Sequence, residues 1–92
     1  MILRFRHRGL ERFFEDDDRS GPNAQHVEKI ATILAQLDRA AKPGDMAIPG
    51  FSLHPLKGVL RGFWSVTVRA NWRIIFRFEG QDATDVTLID YH

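Results

Sequence analysis

Trp64-Ser65-Val66-Thr67-Val68-Arg69-Ala70-Asn71-Trp72-Arg73-Ile74-Ile75-Phe76-Arg77-Phe78 contains two runs in which apolar side chains recur at every second position. A period of two marks a strand with one buried face. Register follows from the same pattern. If Arg69-Ala70-Asn71 is a three-residue loop, Val68 faces Trp72, Val66 faces Ile74 and Trp64 faces Phe76, so every apolar pair shares one side of a hairpin. A two-residue loop would set Val68 against Arg73 and spoil both patterns. Asn71 suits the left-handed conformation such a loop needs. Trp64 and Trp72 then belong to the core. Arg73 stands opposite Thr67 on the outward side with Arg69 at the same end, and Phe63 on that side is open to stacking.

Outward from the hairpin, Gly80-Gln81-Asp82 reads as a turn and Val86-Thr87-Leu88-Ile89 as a closing strand. Upstream, Phe51-Ser52-Leu53-His54-Pro55 reads as a short strand whose end is fixed by the proline. Before it, Val27, Ile30, Leu34, Leu37 and Ala41 follow helical spacing, with Asn23 as N-cap, His26 in the first turn and Pro43-Gly44 as the stop. Leu10, Phe13 and Phe14 mark another helix, closed by the solvated acidic run Glu15-Asp16-Asp17-Asp18 and broken by Ser20-Gly21-Pro22. Leu3 and Phe5 alternate with Arg4 and Arg6 as a first strand. The order is β-α-α-β-β-β-β, an α+β domain with its helices packed on a mainly antiparallel sheet.

The chain has 92 residues, 43% of them apolar, which fits one domain over residues 1–92 with one core. It has no cysteine, so disulfides, thiolate nucleophiles and thiolate metal sites are excluded. No apolar run approaches membrane-spanning length, and the N-terminus lacks the apolar run of a secretion signal; a cytoplasmic protein is expected. The net charge is +1, but its distribution is uneven. Eight cations balance eight anions before Ala47, whereas residues 50–78 hold Lys57, Arg61, Arg69, Arg73 and Arg77 without one Asp or Glu. One side of a nearly neutral molecule is thus expected to be basic. Arg61 and Arg77 read as solvated charges.

The segment after the last strand is Asp90-Tyr91-His92, an acid, a phenol and an imidazole in succession. Each can move or stabilise a proton, and beside uncompensated cations they point to chemistry on a phosphodiester. Four histidines at positions 7, 26, 54 and 92 have no metal-ligand spacing, so no metal site is expected.

Read together, Ile48-Pro49-Gly50-Phe51-Ser52-Leu53-His54-Pro55-Leu56-Lys57-Gly58, Gly62-Phe63-Trp64-Ser65-Val66-Thr67-Val68, Asn71-Trp72-Arg73-Ile74 and Asp90-Tyr91-His92 form a pattern. It resembles the HigB branch of the RelE superfamily, toxins of bacterial type II toxin–antitoxin systems, over essentially the whole chain. The resemblance implies a RelE-like fold and a ribosome-dependent endoribonuclease that cuts mRNA in the decoding site without a metal or other cofactor. It also implies a HigA-type antitoxin partner. Carried over by position, His54, Asp90, Tyr91 and His92 match active-site positions, and Lys57, Arg69 and Arg73 match positions that hold RNA phosphates. Ser52 and Val59-Leu60 depart from the residues common in the family.

RNA carries its own nucleophile, so cleavage needs a base for the 2′-hydroxyl, in-line alignment, charge stabilisation and an acid for the leaving 5′-oxygen. Imidazole suits the first and last roles because its unperturbed pKa is about 6.5. His54 and His92 share these roles in either order, with Tyr91 as an alternative acid and Asp90 as an orienting carboxylate or a base. Arg73 offers a planar fork to phosphate oxygens and Lys57 a mobile charge. Two other classes compete: a non-catalytic ParE-like toxin that binds DNA gyrase, and a basic RNA-binding module without turnover. The imidazole, phenol and carboxylate set favours the nuclease.

Overall fold

The computed structural model describes residues 1–20 and 26–90. Two helices, α1 (Arg8–Asp16) and α2 (Val27–Arg39), precede four strands: β1 (His54–Pro55), β2 (Trp64–Arg69), β3 (Trp72–Glu79) and β4 (Asp82–Asp90). The strands form one antiparallel sheet in sequential order, as expected for short hairpin connections. Short 3₁₀ turns cover Pro43–Met46 and Gly58–Leu60.

The hairpin pairs Trp64 with Phe76, Val66 with Ile74 and Thr67 with Arg73, as its alternation predicts. Its tip is different. Arg69, not Val68, lies opposite Trp72, and a bulge separates Thr67 from Arg69. The loop is therefore the two residues Ala70 and Asn71, and the left-handed residue is Ala70 at φ 51°, not Asn71. The extra residue in the bulge takes up the offset that a two-residue loop would otherwise impose, so both faces keep their pattern.

The core joins α2 residues Ile30, Ile33, Leu34 and Leu37 to Val66, Val68, Ile74, Phe76, Val86 and Leu88 of the sheet, with Leu10 and Phe13 from α1. Trp64, Trp72 and Phe78 pack at its margin. Apolar burial of this kind contributes about 25 cal/mol per Å². α2 ends at Arg39, ahead of Pro43-Gly44, because Ala40 is already extended (φ −69°, ψ 141°). Ala40 is buried in the core and Ala41, predicted on the apolar stripe, is exposed. Its amide instead donates to Asp45 Oδ2 at 2.9 Å. His26 is the residue before the helix, and Asn23, predicted as N-cap, lies outside the described residues, as does the Gly21-Pro22 break.

α1 is capped by His7, whose Nδ1 accepts from the Leu10 amide at 3.1 Å. At its other end Asp17 adopts φ 56°, and the Asp17 and Asp18 amides donate back to Phe13 and Arg12 carbonyls at 3.0 and 3.3 Å. This left-handed closure satisfies carbonyls the helix leaves open. The acidic residues Asp16 and Asp17 stay exposed.

Three predicted strand limits need correction. The N-terminal segment is not a regular strand: only Ile2 and Phe5 form isolated parallel bridges, to Ala83 and Val86 of β4. Ile2 and Phe5 pack on the core while Leu3 is half exposed, so simple alternation assigned Leu3 to the wrong side. The strand predicted over residues 51–55 shrinks to His54–Pro55, because Gly50 (φ 90°) and Ser52 (φ 51°) turn the chain just before it. β4 begins at Asp82, earlier than predicted, since the turn needs only Gly80 (φ 63°) and Gln81. A register shift between Ile75 and Arg77 hides this start from a period-two reading: Asp85, at φ 53°, is the extra residue on β4.

Candidate functional site

The candidate site is on the sheet face turned away from the helices. Directly paired residues of antiparallel strands project to the same side. His54 pairs with Ser65, Ser65 with Ile75, and Thr67 with Arg73. Register alone therefore collects His54, Ser65, Thr67 and Arg73 on one face. They line a cleft of about 380 Å³ together with Ser52, Pro55 and Leu56.

His54 is exposed at the edge of the sheet, and its ring is held. Nδ1 lies 2.6 Å from the Ser52 carbonyl oxygen. A carbonyl only accepts, so Nδ1 carries the hydrogen, and whenever the ring is neutral its lone pair is on Nε2. The left-handed Ser52, at φ 51°, is what turns that carbonyl toward the ring two residues later. Ser52 also lines the cleft, through a backbone role that its place in the sequence does not announce.

Arg73 is held as well. One terminal nitrogen, Nη1, donates to the Ala70 carbonyl and, at 3.3 Å, to its neighbour Trp72's carbonyl. The hairpin tip thus fixes the guanidinium, and the bulge that sets the tip becomes part of the site. A guanidinium has five N–H donors, so its other edge keeps donors for an anion. The ion pairs between described residues join the N-terminal amine, Arg4, Arg6, Arg19 and Arg77 to carboxylates.

Lys57 sits three residues beyond His54, exposed, immediately before the Gly58–Leu60 turn. Arg69 is exposed at the far end of β2, and neither Lys57 nor Arg69 lines the cleft. Val59, at the tip of that turn, is fully exposed. Asp90 pairs with Trp72 and so belongs to the Trp72 and Leu88 side of β4, whereas Ile89 pairs with Arg73. Residue 90 is thus adjacent along the chain to the position facing Arg73, with its own side chain on the other side. Tyr91 and His92 lie outside the described residues.

Two predictions about this face are corrected. Phe63 is not an open stacking platform: it is buried, with the Arg6 guanidinium 5.4 Å from its ring centroid. Arg77 is not a solvated charge. Its Nε donates to Asp85 Oδ2 at 2.6 Å, and Arg4 and Arg6 approach Asp85 Oδ1 at 3.2 and 3.5 Å. Burial pushes the Asp85 carboxyl up, but the Arg77 hydrogen bond and the Arg77, Arg4 and Arg6 charges outweigh it, and the group sits below its ordinary value. This hub ties the N-terminal segment to β3 and β4. An acid enclosed by the strand residues Thr84 and Val86 was its only sequence signal.

Residues 3–92 match the sequence profile of a family described as the RelE-like toxin of the type II toxin–antitoxin system HigB. The chain is 46% identical over 92 residues to the Endoribonuclease HigB of Proteus vulgaris, covering all of both chains. It is 34% identical over 94 residues to Toxin HigB-1 of Vibrio cholerae serotype O1, covering all of this chain and 98% of that one. No helix among the described residues is long and apolar enough to cross a membrane. The cleft on the open sheet face, with its fixed imidazole and anchored guanidinium, thus belongs to a chain that is a member of the HigB-like family of RelE-like toxins of type II toxin–antitoxin systems.

Proposed function

We propose that residues 1–92 act as one toxin domain in the cytoplasm, a ribosome-dependent endoribonuclease that cuts mRNA in the decoding site and is neutralised by a separate HigA-type antitoxin. The observation that carries this reading is the shared placement of His54, with its Nδ1 committed to Ser52, and Arg73, with its Nη1 committed to the hairpin tip. The name of the Proteus vulgaris relative, an endoribonuclease, supports the same class of reaction.

In the proposed reaction the ribose 2′-hydroxyl loses its proton to His54 Nε2, the nitrogen left basic by the Ser52 contact. The 2′-oxygen attacks phosphorus, the bond from phosphorus to the 5′-oxygen breaks, and a 2′,3′-cyclic phosphate forms. Arg73 holds non-bridging oxygens as charge accumulates, an electrostatic role that costs little reorganisation because the side chain is already anchored. His92 or Tyr91 supplies the proton to the leaving 5′-oxygen. Asp90, the residue after the position that faces Arg73, orients an imidazole. Lys57 and Arg69 hold flanking phosphates of the mRNA. None of these steps draws on a metal or an organic cofactor. The ribosomal small subunit splays and aligns the message, which supplies the in-line geometry that a small open cleft does not impose.

The test is mRNA cleavage in a purified translation system, mapped by primer extension, for the intact chain, a His54→Ala variant and a chain lacking His92. Cuts at fixed codon positions that need ribosomes and that weaken strongly in both variants support the proposal. Robust cutting of free RNA would remove the ribosome from it. Absence of cutting by the intact chain, with inhibition of DNA gyrase, would replace it with the ParE-like binding function.

A further inference from the structure

The turn that carries the Ser52 carbonyl is itself held from a distance. Lys29, on α2, donates from Nζ to the Gly50 carbonyl at 3.0 Å. The same ammonium stands 5.8 Å from the ring centroid of Phe51, within cation–π range. Phe51 is buried in the core; its amide donates to Ile48 at 2.9 Å and its carbonyl accepts from Thr67 at 2.7 Å. Ser52 follows in a left-handed conformation that a residue with a Cβ rarely adopts. The helix, the turn, Ser52 and the His54 ring thus form one continuous chain of contacts. Thr67, which anchors Phe51, also stands opposite Arg73, so the same link reaches the second group of the cleft.

Lys29 lies far in the chain from the sequence motifs that carry the site. An ammonium donating to a carbonyl forms a charge-assisted hydrogen bond, stronger than a neutral one. Residues 49–51 are a turn held by the Phe51 amide and carbonyl hydrogen bonds, and Lys29 adds a side-chain donor at Gly50. We propose that Lys29 is a positioning residue for His54: by fixing the turn at residues 48–52 it keeps the Ser52 carbonyl on Nδ1 and therefore the lone pair on Nε2. This rests on the reading of His54 as the base. It predicts that a residue on α2, outside the cleft lining, sets the protonation geometry of the cleft.

The experiment compares wild type, Lys29→Met and Lys29→Arg for ribosome-dependent cleavage, thermal melting and the ring ¹⁵N spectrum of His54, with His54→Ala alongside. Met keeps the length and apolar stem of lysine and removes only the donor. Lys29→Met is expected to lower kcat about tenfold, in line with the sensitivity of catalysis to small misplacements. KM and folding should hold, and the His54 ring should lose its single Nδ1–H tautomer; Lys29→Arg should restore both signals. Wild-type cleavage together with an unchanged ring spectrum in Lys29→Met would overturn the proposal, as would a loss of activity with the ring spectrum unchanged. If His54→Ala cleaves normally, His54 is not the base. The link from Lys29 is then decided by the spectrum alone, an altered tautomer in Lys29→Met supporting it and an unaltered one ending it.

Discussion

Replacing Asp85 by Asn should destabilise the fold strongly at neutral pH and hardly at all in acid. The carboxylate is 4% exposed and is the shared partner of Arg77, Arg4 and Arg6. Its contact with Arg77, at 2.6 Å, is a charge-assisted hydrogen bond of the kind that contributes about 1.5–3 kcal/mol. Arg4 and Arg6 have side chains 63% and 58% exposed, so solvent screening limits each to a few tenths of a kcal/mol up to about 1. Against these, asparagine avoids the cost of burying a charge. The net loss is about 2–3 kcal/mol, which for a chain of this size corresponds to a fall in Tm of about 10–20 °C.

The acid arm follows from the direction of the Asp85 shift. Its carboxyl is held below the ordinary value of 3.8 in the folded protein, so its contribution is fully present above the unfolded-state value. That contribution is lost as pH falls through the lower folded-state value. Thermal melts followed by circular dichroism from pH 7 down to about pH 2 should show the two proteins converging. A Tm difference at pH 7 smaller than about 3 °C, or one that persists in acid, would refute the account of Asp85 as a charged hub.

Other predictions concern the cleft. His54→Gln should keep the melting temperature within a few degrees while lowering kcat about 10²- to 10⁴-fold in the ribosome-dependent assay, the span expected when a general base is removed. Arg73→Lys should keep the charge but lose the fork that bonds the hairpin tip and a phosphate together; single-turnover cleavage is expected to slow about 10²-fold, and a loss below threefold would argue that Arg73 serves only as a point charge. Ser52→Val places a β-branched residue at φ 51° and should cost about 1–2 kcal/mol along with activity, measured by denaturant melts and by cleavage, whereas Ser52→Gly should retain activity within about threefold.

The parts of the site written into consecutive residues were legible. Alternation through Trp64 to Phe78 identified the buried side of the hairpin and placed Arg73 opposite Thr67, as observed. The helical spacing of Val27, Ile30, Leu34 and Leu37 identified the face that covers the sheet. Those signals survive because burial on one side imposes a period on neighbouring residues, whatever the rest of the fold does. Local deviations were not legible in the same way. The bulges at Val68 and Asp85 each insert one residue, which breaks the period without a compositional mark, and the left-handed Ser52 and Ala70 carry none of the glycine that usually signals such a backbone.

By itself, then, the sequence determined the class of the fold, the inner face of its central hairpin and the residue types available for chemistry on RNA. Tertiary structure decided which of those residues meet. His54 reaches the side of Arg73 only because β1 pairs with β2 in the register that sets it against Ser65. Arg77 changes from an apparently free cation to a partner of Asp85 only through the pairing of β3 with β4 and the approach of Arg4 and Arg6. Lys29 acquires its place through the packing of α2 near a turn 21 residues away in the chain. Periodicity encodes burial over a few residues, whereas contacts between distant segments depend on register and docking, which the whole core fixes at once.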